Sequence, residues 1–306
     1  MRRKRNRGFE GVSYFHVMSR TVNGEALFGK REKEVFRKMI WQVAEFSGVR
    51  VITYAVMNNH FHLLLEVPER NTEVSDEEIV RRFKVLYPRP TPWQPMRAEV
   101  LKSHLSEGTA EGKEIKRQLL ARMHDVSEMV KTLKQRFSLW FNRSKERFGP
   151  LWSDRFKSVL IEGDLWVLRT VAAYIDLNPV RAGLVEDPKD YRFCGYGEAS
   201  GGGKRARDGI LLVGRDLAGY RQTLFGAGAM EKDGKSSIGR EEMLKVLEKE
   251  NGRLPVSSIL RCRIRYFTDG LFLGSADFVE KQLIGDSVSS RRPRHPKPMS
   301  GADWQG

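Results

Sequence analysis

The first part of the chain alternates between the hydrophobic period of a strand and that of a helix. Residues 12–19, VSYFHVMS, predict a strand. Residues 31–47 carry apolar side chains at helical spacing, and Gly48 follows as a helix stop. Two further strand-like runs, VRVITYAVM and HFHLLLEV, flank Asn58 and Asn59. Because asparagine tolerates turn conformations, this arrangement predicts a β-hairpin.

The pattern then continues with a second helix, a strand and a third helix. Residues 126–147 predict a long basic helix that ends before Gly149-Pro150, and LWSDRFKSVLIE reads as a strand. Asp164 is a suitable N-cap for a helix that Asn178-Pro179 ends. The resulting order, β-α-β-β-α-β plus a helix, is typical of an α+β, ferredoxin-like fold. We therefore expect a four- to five-stranded antiparallel sheet with helices on one face.

Changes in composition divide the chain into one main domain and several accessory segments. The main domain is expected at 9–196 and contains a polar insertion at about 68–125. The accessory segments are a basic arm at 1–8, a linker at 197–235, a small C-terminal region with helical character at 236–290, and a disordered basic tail at 291–306.

The charge of the chain indicates which class of partner it binds. The 306 residues carry a net charge of +15, which favours a polyanion such as nucleic acid over a membrane. No apolar run approaches the roughly 18 residues of a membrane span. MRRKRNRG is not followed by a signal-peptide core, and only Cys194 and Cys262 are present. We therefore expect a cytoplasmic, nucleoid-associated protein without a membrane partner.

Two histidines lie one residue apart in the second strand of the hairpin. Because side chains alternate along a strand, His60 and His62 share one face with Leu64 and Glu66, at a spacing of about 6–7 Å. Two imidazoles at this spacing can chelate a divalent cation and leave coordination positions open for a substrate. The same pattern also suits two strand histidines that make ordinary hydrogen bonds, so both interpretations stand.

A tyrosine and an asparagine lie four residues apart on the third helix. Tyr174 and Asn178 stack on one flank, so a hydroxyl and an amide oxygen face the same direction. The alternative is a boundary aromatic together with a cap for a short helix that starts at Pro179.

Several motifs in order resemble the single-tyrosine HUH transposases, above all the REP-associated tyrosine transposases and their insertion-sequence relatives. These motifs are HFHLLLEVP, RFKSVLIE and YIDLNPVRAGLV, with YFHVMSR and KTLKQRFSLWFNR also similar. The resemblance implies that Tyr174 attacks single-stranded DNA and forms a 5′-phosphotyrosine. It implies that His60 and His62 bind Mg²⁺ or Mn²⁺, with Asn178 as third ligand. It also implies a substrate with hairpins formed by imperfect palindromes, and it leaves a homodimer open.

Basic and aromatic residues supply candidates for DNA binding. Arg136 and Arg143 lie on the basic helix, and Arg155 and Lys157 share a face of the following strand. Their side chains would bind phosphates, and Trp93, Trp140 and Trp152 would stack on unpaired bases. The alternative is that the basic residues are ordinary solvated charges and that the tryptophans are part of the hydrophobic core.

Three other functions compete with a transposase. The first is a domesticated protein that binds DNA hairpins without transposition activity, against which the intact histidine and tyrosine motifs argue. A phosphodiesterase that uses water would need further acidic ligands, and only Glu66 is near in sequence. An RNA-binding module would place aromatics on the open sheet face in place of the histidines.

Overall fold

The computed structural model describes residues 11–70, 72–92, 94–228, 270–285 and 304–305. The strands are β1 (Ser13–Arg20), β2 (Arg50–Val56), β3 (His60–Val67), β4 (Lys157–Ile161), β5 (Phe272–Ser275) and β6 (Trp304–Gln305). The first helices are α1 (Lys30–Ser47), α2 (Asp76–Leu86), α3 (Ala98–Ser106), α4 (Ala110–Leu120), α5 (Val126–Ser144) and α6 (Leu165–Asp176). They are followed by α7 (Asn178–Arg181), α8 (Gly195–Ser200), α9 (Lys204–Ile210), α10 (Leu217–Gly228) and α11 (Ala276–Gly285).

The strands form one sheet in the order β2-β3-β1-β4-β5-β6. The first four strands pair antiparallel. Along the chain they occur with α1 and α5 in the predicted order β-α-β-β-α-β, with the helices of the insertion between β3 and α5. β5 pairs with β4 in parallel, through Leu160 with Phe272 and Ile161 with Leu273. The expectation of a purely antiparallel sheet is therefore wrong. The added strand covers the edge of β4, whose backbone groups would otherwise be unpaired.

Helices α1 and α5 cover one face of this sheet. Phe61 of β3 lies 4.9 Å from Phe36 of α1, measured between ring centroids. Phe36 in turn lies 4.7 Å from the Phe137 ring of α5. All three side chains are fully buried, so this face forms the main hydrophobic core.

The opposite face, which carries the histidines, is also covered. At the end of α6, the Asp176 carboxylate accepts a 2.9 Å hydrogen bond from the Thr53 hydroxyl of β2. Leu64, on the histidine face of β3, is fully buried. The expectation of helices on one face only is therefore wrong. Leu63 to Leu65 form a continuous apolar run in β3, which is typical of a strand buried on both faces.

Local signals placed most element ends correctly. Asp164 caps α6, because its carboxylate accepts hydrogen bonds from the N–H groups of Trp166 and Val167. The predicted strand at 151–162 is shorter than expected, because β4 begins only at Lys157.

The insertion and the expected linker both contain helices. The insertion holds α2, α3 and α4, and α2 packs against α1. Helices α8 to α10 occupy 195–228, where the sequence indicated a linker, and α9 packs on β2. The contact is so close that a Cβ on Gly209 would overlap the backbone oxygens of Val51 and Ile52. The backbones of α9 and β2 therefore require glycine here.

The described part of the C-terminal region contains β5 and α11, and the two residues of β6 pair with β5. The basic arm, residues 236–269 and all of the tail except 304–305 lie outside the described residues. The division into domains stays a prediction. Within the described residues, no helix is both long and apolar enough to span a membrane.

Candidate active site

The two histidines lie at the end of the sheet where β3 begins. The Met57 N–H donates to the His60 carbonyl at 2.8 Å and closes the hairpin turn. The rings of His60 and His62 are nearly perpendicular, with centroids 5.2 Å apart. His62 is buried and His60 is half-buried. The turn thus places both imidazoles side by side, with His60 closer to solvent.

The orientation of His60 is set by Asn59. The Asn59 amide nitrogen donates to the Gly24 carbonyl at 2.8 Å, so the amide oxygen faces the other way. This oxygen lies 2.6 Å from His60 Nδ1. Because an amide oxygen only accepts, His60 Nδ1 must carry the proton. The lone pair of His60 is therefore on Nε2.

A third histidine, which was not among the predicted site residues, contacts His62. His16 of β1 is fully buried, and its Nε2 lies 2.9 Å from His62 Nδ1. The two rings are stacked with centroids 5.1 Å apart. Alternation along YFHVMSR puts His16 on one face of β1, but only the pairing of Met18 with His62 shows which face that is.

Both candidate ligands are neutral imidazoles at pH 7. Burial, with a smaller effect of Arg20, lowers the pKa of His60 to about 4. Burial also holds the pKa of His62 well below its ordinary value, with contributions from His16 and His60. A neutral imidazole nitrogen is the form that binds a metal ion.

The donor set fits a divalent cation that keeps open positions for substrate. Nδ1 of each ring is engaged by a neighbour, which leaves Nε2 of His60 and His62 as ligand atoms. Among the residues that the structure describes, no group of three His, Cys, Asp or Glu side chains could hold an ion. A third protein ligand in this part of the chain would therefore come from another residue type, such as Asn178.

Helix α6 brings Tyr174 to the histidines. The Tyr174 ring centroid lies 5.8 Å from that of His62 and 6.0 Å from that of His16. The side chain is only 3% exposed, and the Arg181 guanidinium lies 5.3 Å from the ring centroid. The tyrosine and the histidines, far apart in sequence, therefore occupy one site.

Asn178 lies one turn further, at the start of α7. Its amide nitrogen donates to the carbonyls of Tyr174 at 2.9 Å and Ile175 at 3.3 Å. The side chain thus closes the end of α6, whereas the sequence suggested a cap for the next helix. Its amide oxygen is the atom of this side chain that can act as a metal ligand.

Two basic residues lie on the histidine face of the sheet. Lys157 of β4 pairs with Met18, which pairs in turn with His62 on the other side of β1. Arg20 lies directly opposite His60. Both basic side chains are exposed. Lys157 was among the residues predicted from the sequence, whereas Arg20 was not, because only the strand register places it here.

The other predicted DNA-binding residues lie elsewhere. Arg143 is exposed in the last turn of α5. Arg155 is exposed in the turn before β4, so it does not share a strand face with Lys157. Arg136 is half-buried, with its guanidinium 5.5 Å from the Tyr87 ring centroid. The structure does not bring Arg136 to the histidine face.

Two of the three tryptophans pack against other aromatic residues. Trp152 lies 5.5 Å from the Phe61 ring, and its indole N–H donates to the Ser138 hydroxyl at 2.9 Å. Trp140 lies 5.5 Å from the Phe137 ring. Trp93 is outside the described residues.

Comparison with known proteins supports the resemblance for the first part of the chain. Residues 11–90 match the family model described as "Transposase IS200 like". That segment contains β1, α1 and the hairpin with both histidines, whereas Tyr174 lies beyond it. The resemblance predicted from the motifs is thus confirmed over 11–90.

Searches of curated proteins and of solved structures give no further support for the resemblance. No curated protein matches the sequence. One solved structure that matches is described as "Structure of the REP associates tyrosine transposase bound to a REP hairpin". The match has 17% sequence identity and covers 65% of this chain and 82% of that chain, with a TM-score of 0.36. This score is too low to establish a common fold.

Proposed function

We propose that the protein is a transposase-type endonuclease and strand transferase that acts on single-stranded DNA. The observation that carries the proposal is the approach of Tyr174 to His62, with ring centroids 5.8 Å apart. A phenol and two neutral imidazoles in one site supply a nucleophile and ligands for a divalent cation. The family match over residues 11–90 supports the same conclusion.

Tyr174 is the nucleophile in this proposal. Its oxygen attacks the phosphorus of a phosphodiester, so an O–P bond forms while the bond from phosphorus to the 3′ oxygen breaks. The phenol proton is lost and the departing 3′ oxygen gains a proton. The products are a 5′-phosphotyrosine and a free 3′-OH. The covalent bond retains the energy of the phosphodiester, so the 3′-OH of the same or another strand can reverse the step without ATP.

His60 and His62, through Nε2, would hold Mg²⁺ or Mn²⁺ together with the Asn178 amide oxygen. When bound, such an ion stabilises the charge that develops on the phosphate and on the departing oxygen. Burial keeps both imidazoles neutral, and Asn59 holds His60 in the tautomer that exposes Nε2.

Basic residues on the histidine face would hold the DNA backbone. Arg20 and Lys157 are exposed on β1 and β4, the two strands that follow the histidine strand β3 in the sheet. Arg143 and Arg155, also exposed, would bind phosphates further from the reacting group. From the family resemblance we expect the substrate to be single-stranded DNA that carries a hairpin beside the cleavage site.

The proposal is tested by trapping the covalent intermediate. The protein is incubated with Mn²⁺ and labelled single-stranded DNA that contains an imperfect palindrome taken from the sequence beside its coding region. We expect an adduct that survives denaturing electrophoresis and that does not form when EDTA is present from the start. Tyr174→Phe should abolish it while hairpin binding persists. Tyr14→Phe, which changes a tyrosine on the same strand face as His16, is the matched control.

Two results would contradict the proposal. An adduct that persists in Tyr174→Phe would show that another residue is the nucleophile. Hairpin binding by the unaltered protein without any adduct would instead favour the domesticated DNA-binding protein.

A further inference from the structure

His16 has no part in the reaction proposed above, yet its ring lies within hydrogen-bond distance of the candidate ligand His62. Its Nε2 lies 2.9 Å from His62 Nδ1, and its side chain is fully buried. At this distance one of the two nitrogens donates a proton to the other. Which one donates decides whether His62 can bind an ion.

The two possible directions of this hydrogen bond have opposite consequences. If His16 Nε2 carries the proton, His62 accepts on Nδ1, its own proton is on Nε2, and that nitrogen cannot bind a metal ion. If His62 Nδ1 carries the proton, His16 accepts, and the His62 Nε2 lone pair is available. Ligation through His62 Nε2 therefore requires His16 to act as the acceptor.

We propose that His16 is a positioning residue that accepts the His62 Nδ1 proton and so presents His62 Nε2 to the divalent ion. The inference rests on the metal site of the proposed function. The arrangement parallels that of His60, whose Nδ1 donates to the Asn59 oxygen at 2.6 Å. Both candidate ligands thus have an acceptor on the side away from the ion, which fixes tautomer and ring orientation.

The same hydrogen bond argues against two other roles for His16. Its Nε2 faces His62 Nδ1, so that nitrogen is not directed at a shared ion. With Nε2 as acceptor, the proton of neutral His16 is on Nδ1, and the ring has no further lone pair with which to take the Tyr174 proton. His16 therefore acts through His62: its ring lies edge-on to the Tyr174 ring, with centroids 6.0 Å apart, but it offers no lone pair to the phenol proton.

The test compares variants that keep or remove the acceptor. His16→Gln has a side-chain oxygen that can reach the position of Nε2, whereas His16→Phe keeps the ring volume without an acceptor. Val159→Ala is the packing control, because Val159 is fully buried and pairs with His16 across β1 and β4. The His60→Ala/His62→Ala double variant measures binding of Mn²⁺ elsewhere on the protein.

Mn²⁺ affinity of the full chain without DNA is measured by electron paramagnetic resonance of the free ion, with thermal unfolding to verify that each variant is folded. We expect His16→Phe to weaken binding by about 10- to 100-fold. His16→Gln and Val159→Ala should remain within a few-fold of the unaltered protein. With Zn²⁺ as a diamagnetic probe, nitrogen NMR of the labelled histidines should show a proton on His62 Nδ1.

The outcomes separate this inference from the function on which it rests. If His16→Phe binds Mn²⁺ as tightly as the unaltered protein, or if His16→Gln is weakened as much as His16→Phe, His16 is not the positioning acceptor. The metal site would still stand. If the unaltered protein binds no more tightly than the double histidine variant, the metal site itself is wrong and the inference is lost with it.

Discussion

Asp176 joins the helix of the candidate nucleophile to three other elements. Its buried carboxylate accepts hydrogen bonds from the Thr53 hydroxyl of β2, the Tyr196 N–H of α8 and the Tyr220 hydroxyl of α10. Burial nevertheless raises the pKa of Asp176 from 3.8 to about 6, because the three hydrogen bonds compensate only part of the lost solvation. We therefore predict that this one side chain makes stability depend on pH.

The direction and size of this pH dependence follow from the pKa values of Asp176 in the unfolded and the folded protein. Between pH 3.8 and about 6 the folded protein keeps a proton that the unfolded chain has lost, so stability falls as pH rises. For these two pKa values, the linkage between proton binding and unfolding predicts that the free energy of unfolding falls by about 2 kcal/mol from pH 4.5 to pH 7.5. The fall over the whole titration is about 3 kcal/mol.

Urea denaturation of the unaltered protein and of Asp176→Asn over this pH range measures the effect. The difference in unfolding free energy between the two should change by about 2 kcal/mol, with the unaltered protein relatively more stable at the acidic end. Asp164→Asn removes a carboxylate from the same helix but keeps a capping side chain, so it controls for the loss of one charge. Parallel pH profiles for the unaltered protein and Asp176→Asn would refute the reasoning.

Three further predictions concern DNA binding and the core. Lys157→Ala should weaken binding of single-stranded DNA and should reduce the slope of the log binding constant against log salt concentration by about 0.7. Arg136→Ala should leave this slope unchanged. Equal slopes for the two variants would count against the histidine face as the DNA surface. Gly48→Ala should lower stability by about 1 kcal/mol or more, because Gly48 has φ +63° and a Cβ would overlap Arg82; an unchanged melting temperature would contradict this. Phe36→Ala should cost about 3–5 kcal/mol in denaturant unfolding, and a loss below about 1 kcal/mol would show that the aromatic core is not tightly packed.

Local patterns were sufficient for the elements that hold the site. The helix stop at Gly48, the Asp164 cap and the hairpin at Asn58 and Asn59 depend on residues within a few positions of each other. The family motifs added Tyr174, and the structure brings it beside His62. Both residues could be predicted because each belongs to a short sequence motif. Their distance from each other could not be predicted from those motifs.

The remaining features depend on contacts between distant segments. The parallel pairing of β5, the helices on both faces of the sheet and the approach of His16 to His62 are set by strand register and packing. Arg20 enters the site for the same reason, and Arg136 does not.

The sequence by itself therefore determined β1 to β3, helices α1, α5 and α6, and the shared face of the two histidines, and it predicts a polyanionic partner. These properties follow from side-chain periodicity, capping and net charge, which act locally or by summation. Only the tertiary structure decided which third histidine contacts the pair, which basic side chains lie on the same face and which helix covers that face. Those choices depend on the register between segments, because a shift of one residue would turn every side chain of a strand to the opposite face.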